Sequence, residues 1–292
     1  MSKCLICPWE CGVDRIKKLG VCRAPNQFEV AHWQIHHWEE PFISGQHPIR
    51  GSGTIFFSHC NLRCVYCQNY DISQINHGQL VSEEKFLKIC LDLKQKGAYN
   101  INLVSPTPYS AYLKKFLKKY KKQIGLPIIW NSNGYEKAKT IKSLANLVDV
   151  WLPDIKYYDN QIAQKYSGAK NYFKFASQSI LIMRKISPQD IFNSEGLIEK
   201  GLVIRHLVLP NQTEDSFKIL NWIKKYLGEK TILSLMSQYY PTYQAFKYPE
   251  INRKLKNEEY QELVDWLIKN NFENVLIQDL SSADKKFTPK FK

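Results

Sequence analysis

No apolar run in this sequence is long enough to cross a membrane. Its first residues, Met1-Ser2-Lys3-Cys4-Leu5-Ile6-Cys7-Pro8, hold no hydrophobic secretion signal. Those absences argue against a spanning or exported protein, and a cytoplasmic one is expected. There is no internal repeat, which speaks against a solenoid or propeller, and no low-complexity tract. Acidic residues are the scarcer charge, 27 against 41 Lys and Arg, for a net +14. So basic a chain raises the question of nucleic acid. The densest lysines, Lys114, Lys115, Lys118, Lys119, Lys121 and Lys122, alternate with Leu113, Phe116, Leu117, Tyr120 and Ile124. That spacing is an amphipathic helix with a solvated lysine face, and no aromatic-studded RNA-binding motif accompanies it. Neither a membrane nor a nucleic acid is an expected partner.

Cysteine is what the chain has to spare, with eight residues. In a reducing compartment they argue for metal ligation over disulfides. The 292 residues, 44% of them hydrophobic, suffice for one large domain with a small appendage. We divide them into a Cys-rich N-terminal segment (1–50), a barrel (51–250) and a C-terminal helix and tail packed on it (251–292).

The stretch His59-Cys60-Asn61-Leu62-Arg63-Cys64-Val65-Tyr66-Cys67 follows the apolar run Thr54-Ile55-Phe56-Phe57. A loop closing on itself there brings three thiolates onto one small metal cluster. A [4Fe–4S] cube normally takes four, so three leave one iron open to another ligand. A zinc site completed by His59, or three reduced structural thiols, are the alternatives. Zinc sites, however, pair C-x2-4-C with a distant second pair, which this triplet does not do. A second group, Cys4, Cys7, Cys11 and Cys22, sits among the turn residues Pro8, Gly12 and Gly20. Four thiolates there make a cage that suits zinc or a further Fe–S cluster, with reduced packing cysteines as the alternative. His32, His36, His37 and His47 stay unassigned.

From residue 53, short β-rich runs alternate with helical periodicity, the pattern of βα units and a parallel sheet. Strands are expected at 53–57, 100–104, 127–130, 148–152, 201–208 and 231–236, with a last short one at 275–277. Helices are expected at 83–96, 110–123, 135–145, 174–185, 214–227 and 257–270, the first opened by Ser82 and stopped by Gly97. The fold class is therefore α/β, a partial (βα)6 barrel with its chemistry at the C-terminal ends of the strands. Those ends carry Ser105 and Thr107, Asn131 and Ser132, Asp154 and Lys156, Arg205, and the run Ser237-Gln238-Tyr239-Tyr240. A zwitterionic ligand bearing a diol would need a cation, acceptors and donors, which Lys156, Arg205, Asp154 and Asn131 supply.

The C-x3-C-x2-C spacing with an aromatic before its last cysteine resembles the signature of the radical S-adenosylmethionine (SAM) superfamily. With CLICPWECGVDR, HHWEEPFISG, GSGTIFFSHCNLRCVYCQNYDIS, NLVSPTPY, WNSNGYE, VWLPDIKYYD, RHLVLPN and MSQYYP, the chain resembles the glycyl-radical-enzyme activases within it. The likeness is greatest to the pyruvate formate-lyase-activating-enzyme-like group. The resemblance implies one [4Fe–4S] cluster on Cys60, Cys64 and Cys67, whose open iron chelates SAM, and Tyr66 near the adenine. It also implies methionine and ribose contacts from Asn131, Ser132, Asp154, Lys156 and Arg205. Reduction by a flavodoxin- or ferredoxin-class donor then gives a 5′-deoxyadenosyl radical for hydrogen abstraction. The expected target is a glycine Cα of a glycyl radical protein, held at a rim of Tyr239, Tyr240 and Tyr243; a small molecule is the alternative. The chain departs from those relatives with Ser105-Pro106-Thr107 for a Gly-Gly-Glu turn, Asn131 for an Asp, and Tyr239 near the place of a His.

Overall fold

Period-two and helical stretches alternate in the structure much as they do in the sequence. The computed structural model describes residues 3–75, 77–284 and 291. The chain runs β1 (Phe28–His36), α1 (Pro41–Ser44), β2 (Gly51–Phe57), β3 (Gln79–Val81), α2 (Glu83–Gln95), β4 (Ala98–Val104) and α3 (Ser110–Ile124). It continues with β5 (Ile128–Ser132), α4 (Ala138–Lys142), β6 (Val150–Pro153), α5 (Asn160–Ser167), α6 (Tyr172–Ile186) and β7 (Ile191–Phe192). The last elements are β8 (Ile198–Leu207), α7 (Thr213–Leu227), β9 (Ile232–Met236), α8 (Asn257–Lys269) and β10 (Val275–Ile277).

One sheet orders its strands β10-β9-β8-β6-β5-β4-β2-β1-β3, with β7 beside β8. Along that order from β2 to β10 every pair is parallel, while β1 joins β2 and β3, and β7 joins β8, antiparallel. The six expected βα units and the short last strand are all present, and the α/β class holds.

The sheet has two distinct faces. Ile101 and Leu103 of β4, with Ile55 and Phe57 of β2, pack outward against Phe86 and Leu93 of α2 and Leu113 and Phe116 of α3. The alternate residues point inward. At the N-terminal ends of the strands Ile129, Val150, Val203 and Ile232 cluster with Ile43 of α1, which plugs that end. The interior therefore opens toward the C-terminal ends, where the cysteine loop lies.

Helix ends follow local chemistry. The Ser82 side chain accepts the Lys85 N–H at 3.2 Å, and α2 opens with Glu83 and Glu84, acids at the positive end of the helix dipole. In α3 Leu113, Phe116, Leu117 and Ile124 are buried while Lys115, Lys118 and Lys119 are exposed, as expected.

Five elements were not expected, among them α1 and β7, each of four residues or fewer. β1 lies in a stretch left unassigned, because after Val30 its two faces are equally half-buried and show no alternation. Short β3 and α5 carry too few residues to set up a period. The helix expected at 135–145 shrinks to α4, because Tyr135 and Glu136 are drawn into the interior. The expected boundary at residue 50 falls between β1 and β2, which pair from Val30↔Phe57 to His36↔Ser52. Residues 3–27 hold no helix or strand, and α8 packs on α7.

Candidate active site

β2 ends at Phe57, and beyond Ser58 His59 turns the chain with a φ of 69°. Its Nε2 meets Glu29 Oε2 at 2.9 Å, both buried, so His59 anchors the turn and is not poised as a zinc ligand. The loop beyond is pinned from two sides: Arg63 N donates to Ser167 O at 3.1 Å and Val65 N to Tyr166 O at 2.8 Å, while Gln244 N donates to Val65 O at 2.8 Å. Cys60, Cys64 and Cys67 line one cavity of ≈ 510 Å³. That volume falls within the range of about 300–1,000 Å³ usual for small-molecule sites.

Each sulfur has a polar neighbour. Asn133 Nδ2 donates to Cys60 Sγ at 3.1 Å, Ser167 Oγ to Cys64 Sγ at 2.9 Å, and Ser73 Oγ lies 3.2 Å from Cys67 Sγ. Burial pushes each of these thiols up to about 11. Free, they stay protonated at neutral pH, so holding them as thiolates takes a metal. As the side chains lie, no three Cys, His, Asp or Glu among the described residues share one ion's reach, and the thiols are engaged with the neighbours just named. Three thiols on one loop, with hydroxyl and amide donors to their sulfurs, fit a cluster that keeps one iron open.

Of the other expected residues, Tyr66, Ser105, Asn131, Ser132, Asp154, Lys156 and Arg205 all line the same cavity. Tyr66 is buried, its hydroxyl paired with Tyr157, which reaches Ser167 Oγ at 2.6 Å and so joins the chain to Cys64. Lys156 Nζ meets Asp154 Oδ2 at 2.6 Å. Burial opposes the Lys156 charge, but Asp154 and Cys64 outweigh it and hold its pKa up at about 12.

Thr107 is not brought to the cavity. It is 1% exposed, and its Oγ1 donates to Glu136 Oε1 at 2.9 Å, because the turn after β4 winds into a short 3-10 helix that points the side chain inward.

Sequence reasoning missed three groups. Glu136 is fully buried and accepts from Thr107, from Trp130 Nε1 at 2.9 Å and from Ser132 Oγ at 2.9 Å. Asn133 bridges Cys60 and Asn61. Gly134 makes their turn, with φ 74°, where a Cβ would sit 2.2 Å from Asp154 O. The signal was in plain view as Asn133-Gly134, a turn pair, but nothing local said what it turned toward.

Glu39 and Glu40 are the third group. Arg205 Nε donates to Glu40 Oε1 at 2.7 Å and Nη2 pairs with both carboxylates, while Asn102 Nδ2 reaches Glu39 Oε1 at 3.0 Å. Arg205 is thus doubly paired where it had been expected as a free cation. Burial opposes the Glu40 charge, yet Arg205 holds that carboxyl below its ordinary range.

The expected tyrosine rim needs correction too. Tyr239 is 1% exposed and donates to Ile251 O at 2.6 Å. Tyr240 lines the cavity, and Tyr243 stacks on Tyr70 with ring centres 5.0 Å apart. The segment after β9 folds back over Tyr239, which a linear reading does not show.

A sequence profile of the radical SAM superfamily matches residues 54–223, the stretch that carries the cysteine loop and most of the strand ends. The chain belongs to this superfamily. Its members use a [4Fe–4S] cluster and SAM. An uncharacterized protein of Methanocaldococcus jannaschii is 33% identical over 284 residues, covering 93% of this chain and 76% of that one. Among solved structures, Streptococcus suis SuiB superposes with a TM-score of 0.53 at 12% identity, over 81% of this chain and 51% of SuiB. The FeFe-hydrogenase maturase HydG of Carboxydothermus hydrogenoformans gives 0.55 at 13%, over 86% and 59%. This radical SAM chain spans roughly half to three fifths of those two structures, and at such identities they speak to the fold alone.

Proposed function

We propose that Cys60, Cys64 and Cys67 hold one [4Fe–4S] cluster and that SAM binds beside it, to be cleaved reductively for hydrogen-atom abstraction. One observation carries this reading: the three thiols and seven strand-end and loop residues expected from sequence line a single cavity. When bound and reduced by a flavodoxin- or ferredoxin-class donor, the cluster supplies the electron that splits SAM into methionine and a 5′-deoxyadenosyl radical. The protein's part is to bind, orient and exclude water. Lys156 and Asp154 are a cation and an acceptor for the amino-acid end of SAM, Ser105 and Asn131 offer hydrogen bonds to the ribose, and Tyr66 offers a ring face. The apolar plug around Ile43 closes the far end of the barrel. The N-terminal cysteines form a second metal site in this reading. Replacing Cys64 by Ala should remove both reconstituted iron and 5′-deoxyadenosine formation; 5′-deoxyadenosine at the wild-type rate would sink the assignment.

The target we propose is a polypeptide, a glycine Cα in a partner protein. Among the described residues no strand pairing joins β10 to β3, and Trp38, 68% exposed, lines the cavity. SuiB, which shares the fold, has been solved bound to its precursor peptide SuiA. A second reading, a small-molecule substrate, is favoured by the burial of Tyr239, which leaves less aromatic rim for a peptide. Electron paramagnetic resonance of the reduced protein with SAM and glycyl radical proteins from the same source separates them. A glycyl doublet supports the peptide target; no doublet, with turnover of a metabolite, supports the other.

A further inference from the structure

Cys4, Cys7, Cys11 and Cys22 lie outside the SAM cavity; as the side chains lie no three of them share one ion's reach, yet the backbone brings their segments together. Cys4 N donates to Val13 O at 2.9 Å and Gly12 N to Cys4 O at 3.0 Å, folding residues 4–13 into a tight hairpin. Gly20, two residues before Cys22, lies so close to Cys11 that a Cβ there would sit 2.7 Å from the Cys11 sulfur. Cys7 is within electrostatic reach of Cys4, Cys11 and Cys22.

Hydrogen-bond donors and a guanidinium surround these sulfurs. The N–H groups of Trp9 and Ala24 donate to Cys7 and Cys22, and Arg15, largely buried, lies 3.8 Å from Cys22 Sγ and hydrogen-bonds Cys4. The segment has little else to hold it. Residues 3–27 form no helix or strand, and Leu5, Ile16 and Leu19 are each more than half exposed. Segments this poor in core usually need a metal or a cross-link to fold.

We propose that these four cysteines bind a second metal centre, coordinatively closed, that braces the loop holding the SAM cluster. Four thiolates leave no open position, which marks a structural site, and both zinc and an Fe–S cluster accept that donor set. Two arms connect it to the cluster loop. Trp9 Nε1, between Cys7 and Cys11, donates to Asn61 O at 2.6 Å. Asn61 Oδ1 in turn accepts Asn133 Nδ2 at 2.8 Å, and the same amide reaches Cys60 Sγ. On the other side Arg63 Nη2 donates to Val21 O, next to Cys22, while Nη1 holds Gln74 Oε1 at 2.9 Å. The hairpin is further tied to the barrel through Thr140 Oγ1 to Ile6 O at 2.6 Å.

This rests on the reading of Cys60, Cys64 and Cys67 as the cluster ligands, and the experiment separates the two. The full chain carrying Cys60→Ala, Cys64→Ala and Cys67→Ala, purified anaerobically, should still hold stoichiometric metal: zinc alone, or iron with sulfide. Adding Cys4→Ser and Cys7→Ser should abolish it. No metal in the triple variant overturns the site. Wild-type iron wholly explained by the N-terminal four would overturn the proposed function and leave this site standing. The brace is tested with Trp9→Phe, which spares every cysteine. Iron release to a chelator should become about tenfold faster, the low end of what outer-shell contacts are worth, with faster amide exchange at residues 60–67. Unchanged release and exchange would overturn the brace.

Discussion

Glu136→Ala should cost far more stability than Glu136→Gln, and the gap measures how firmly the buried carboxyl organises the end of β5. The side chain is fully buried and takes three donors at 2.9 Å: Thr107 and Trp130 on Oε1, Ser132 on Oε2. Burial raises its pKa, and the three donors pull it back. Alanine leaves all three donors without an acceptor. An unsatisfied buried donor costs about 1–3 kcal/mol, and the hydroxyls of Thr107 and Ser132 can rotate to relieve part of that, so the sum is on the order of 4 kcal/mol. That is a large share of a total near 5–15 kcal/mol. Glutamine keeps an oxygen for Thr107 and Trp130, and its amide can donate to Ser132 Oγ, so its cost stays below about 1.5 kcal/mol. Urea titration of the metal-free chain reads the stability difference. Calorimetry with SAM on the reconstituted chain should show weaker binding for the alanine variant, because Asn131 and Ser132 lose their support. Equal losses in the two variants, or an alanine cost under about 1 kcal/mol, would refute the reasoning.

His206 gives a pH prediction. It is fully buried with Nδ1 at 2.7 Å from Ile155 O and Nε2 at 2.9 Å from Ser216 Oγ, and burial lowers its pKa from 6.5 to about 4. The unfolded chain takes up a proton below 6.5 and the folded one only below about 4. Stability from this residue is therefore complete above that window and is lost, by on the order of 3 kcal/mol, as pH falls through it. His206→Gln should flatten that acid limb in urea titrations, and an unchanged slope would contradict the assignment. Arg205→Met strands two buried carboxylates and should cost about 3–5 kcal/mol. Adding Glu39→Gln and Glu40→Gln should restore much of it, whereas no recovery in thermal melts would mean that Arg205 acts through packing instead.

The parallel core was legible because each of its strands is an apolar run between turn residues, and the cysteine triplet because its spacing is local. What escaped was set by contacts across the chain. Thr107 looked like a site hydroxyl at a strand end, but the turn that Pro106 and Pro108 stiffen sends it to a carboxyl 29 residues on. Tyr239 looked like a rim residue until the segment up to Ile251 folded over it. β1 and the acidic pair beyond it, Glu39-Glu40, carried no period at all; pairing with β2 places the strand, and Arg205 places the acids.

That last omission changes the chemistry of the cavity. Read from sequence, its charged residues were Asp154, Lys156 and Arg205, a set with a spare cation for a carboxylate. The structure adds Glu39 and Glu40 to the same lining, and both pair with Arg205. With Asp284, also in the lining, four carboxylates stand against two cations, an excess of two negative charges. Arg205, satisfied twice over, has little to offer a ligand carboxylate. Lys156 faces a single carboxylate, Asp154, and is the cation left to meet one. SAM carries a sulfonium and an ammonium against one carboxylate and is itself net positive. A lining that is negative in sum, with one ammonium near the cysteine loop, suits that charge pattern better than the spare-cation set first drawn from the strand ends.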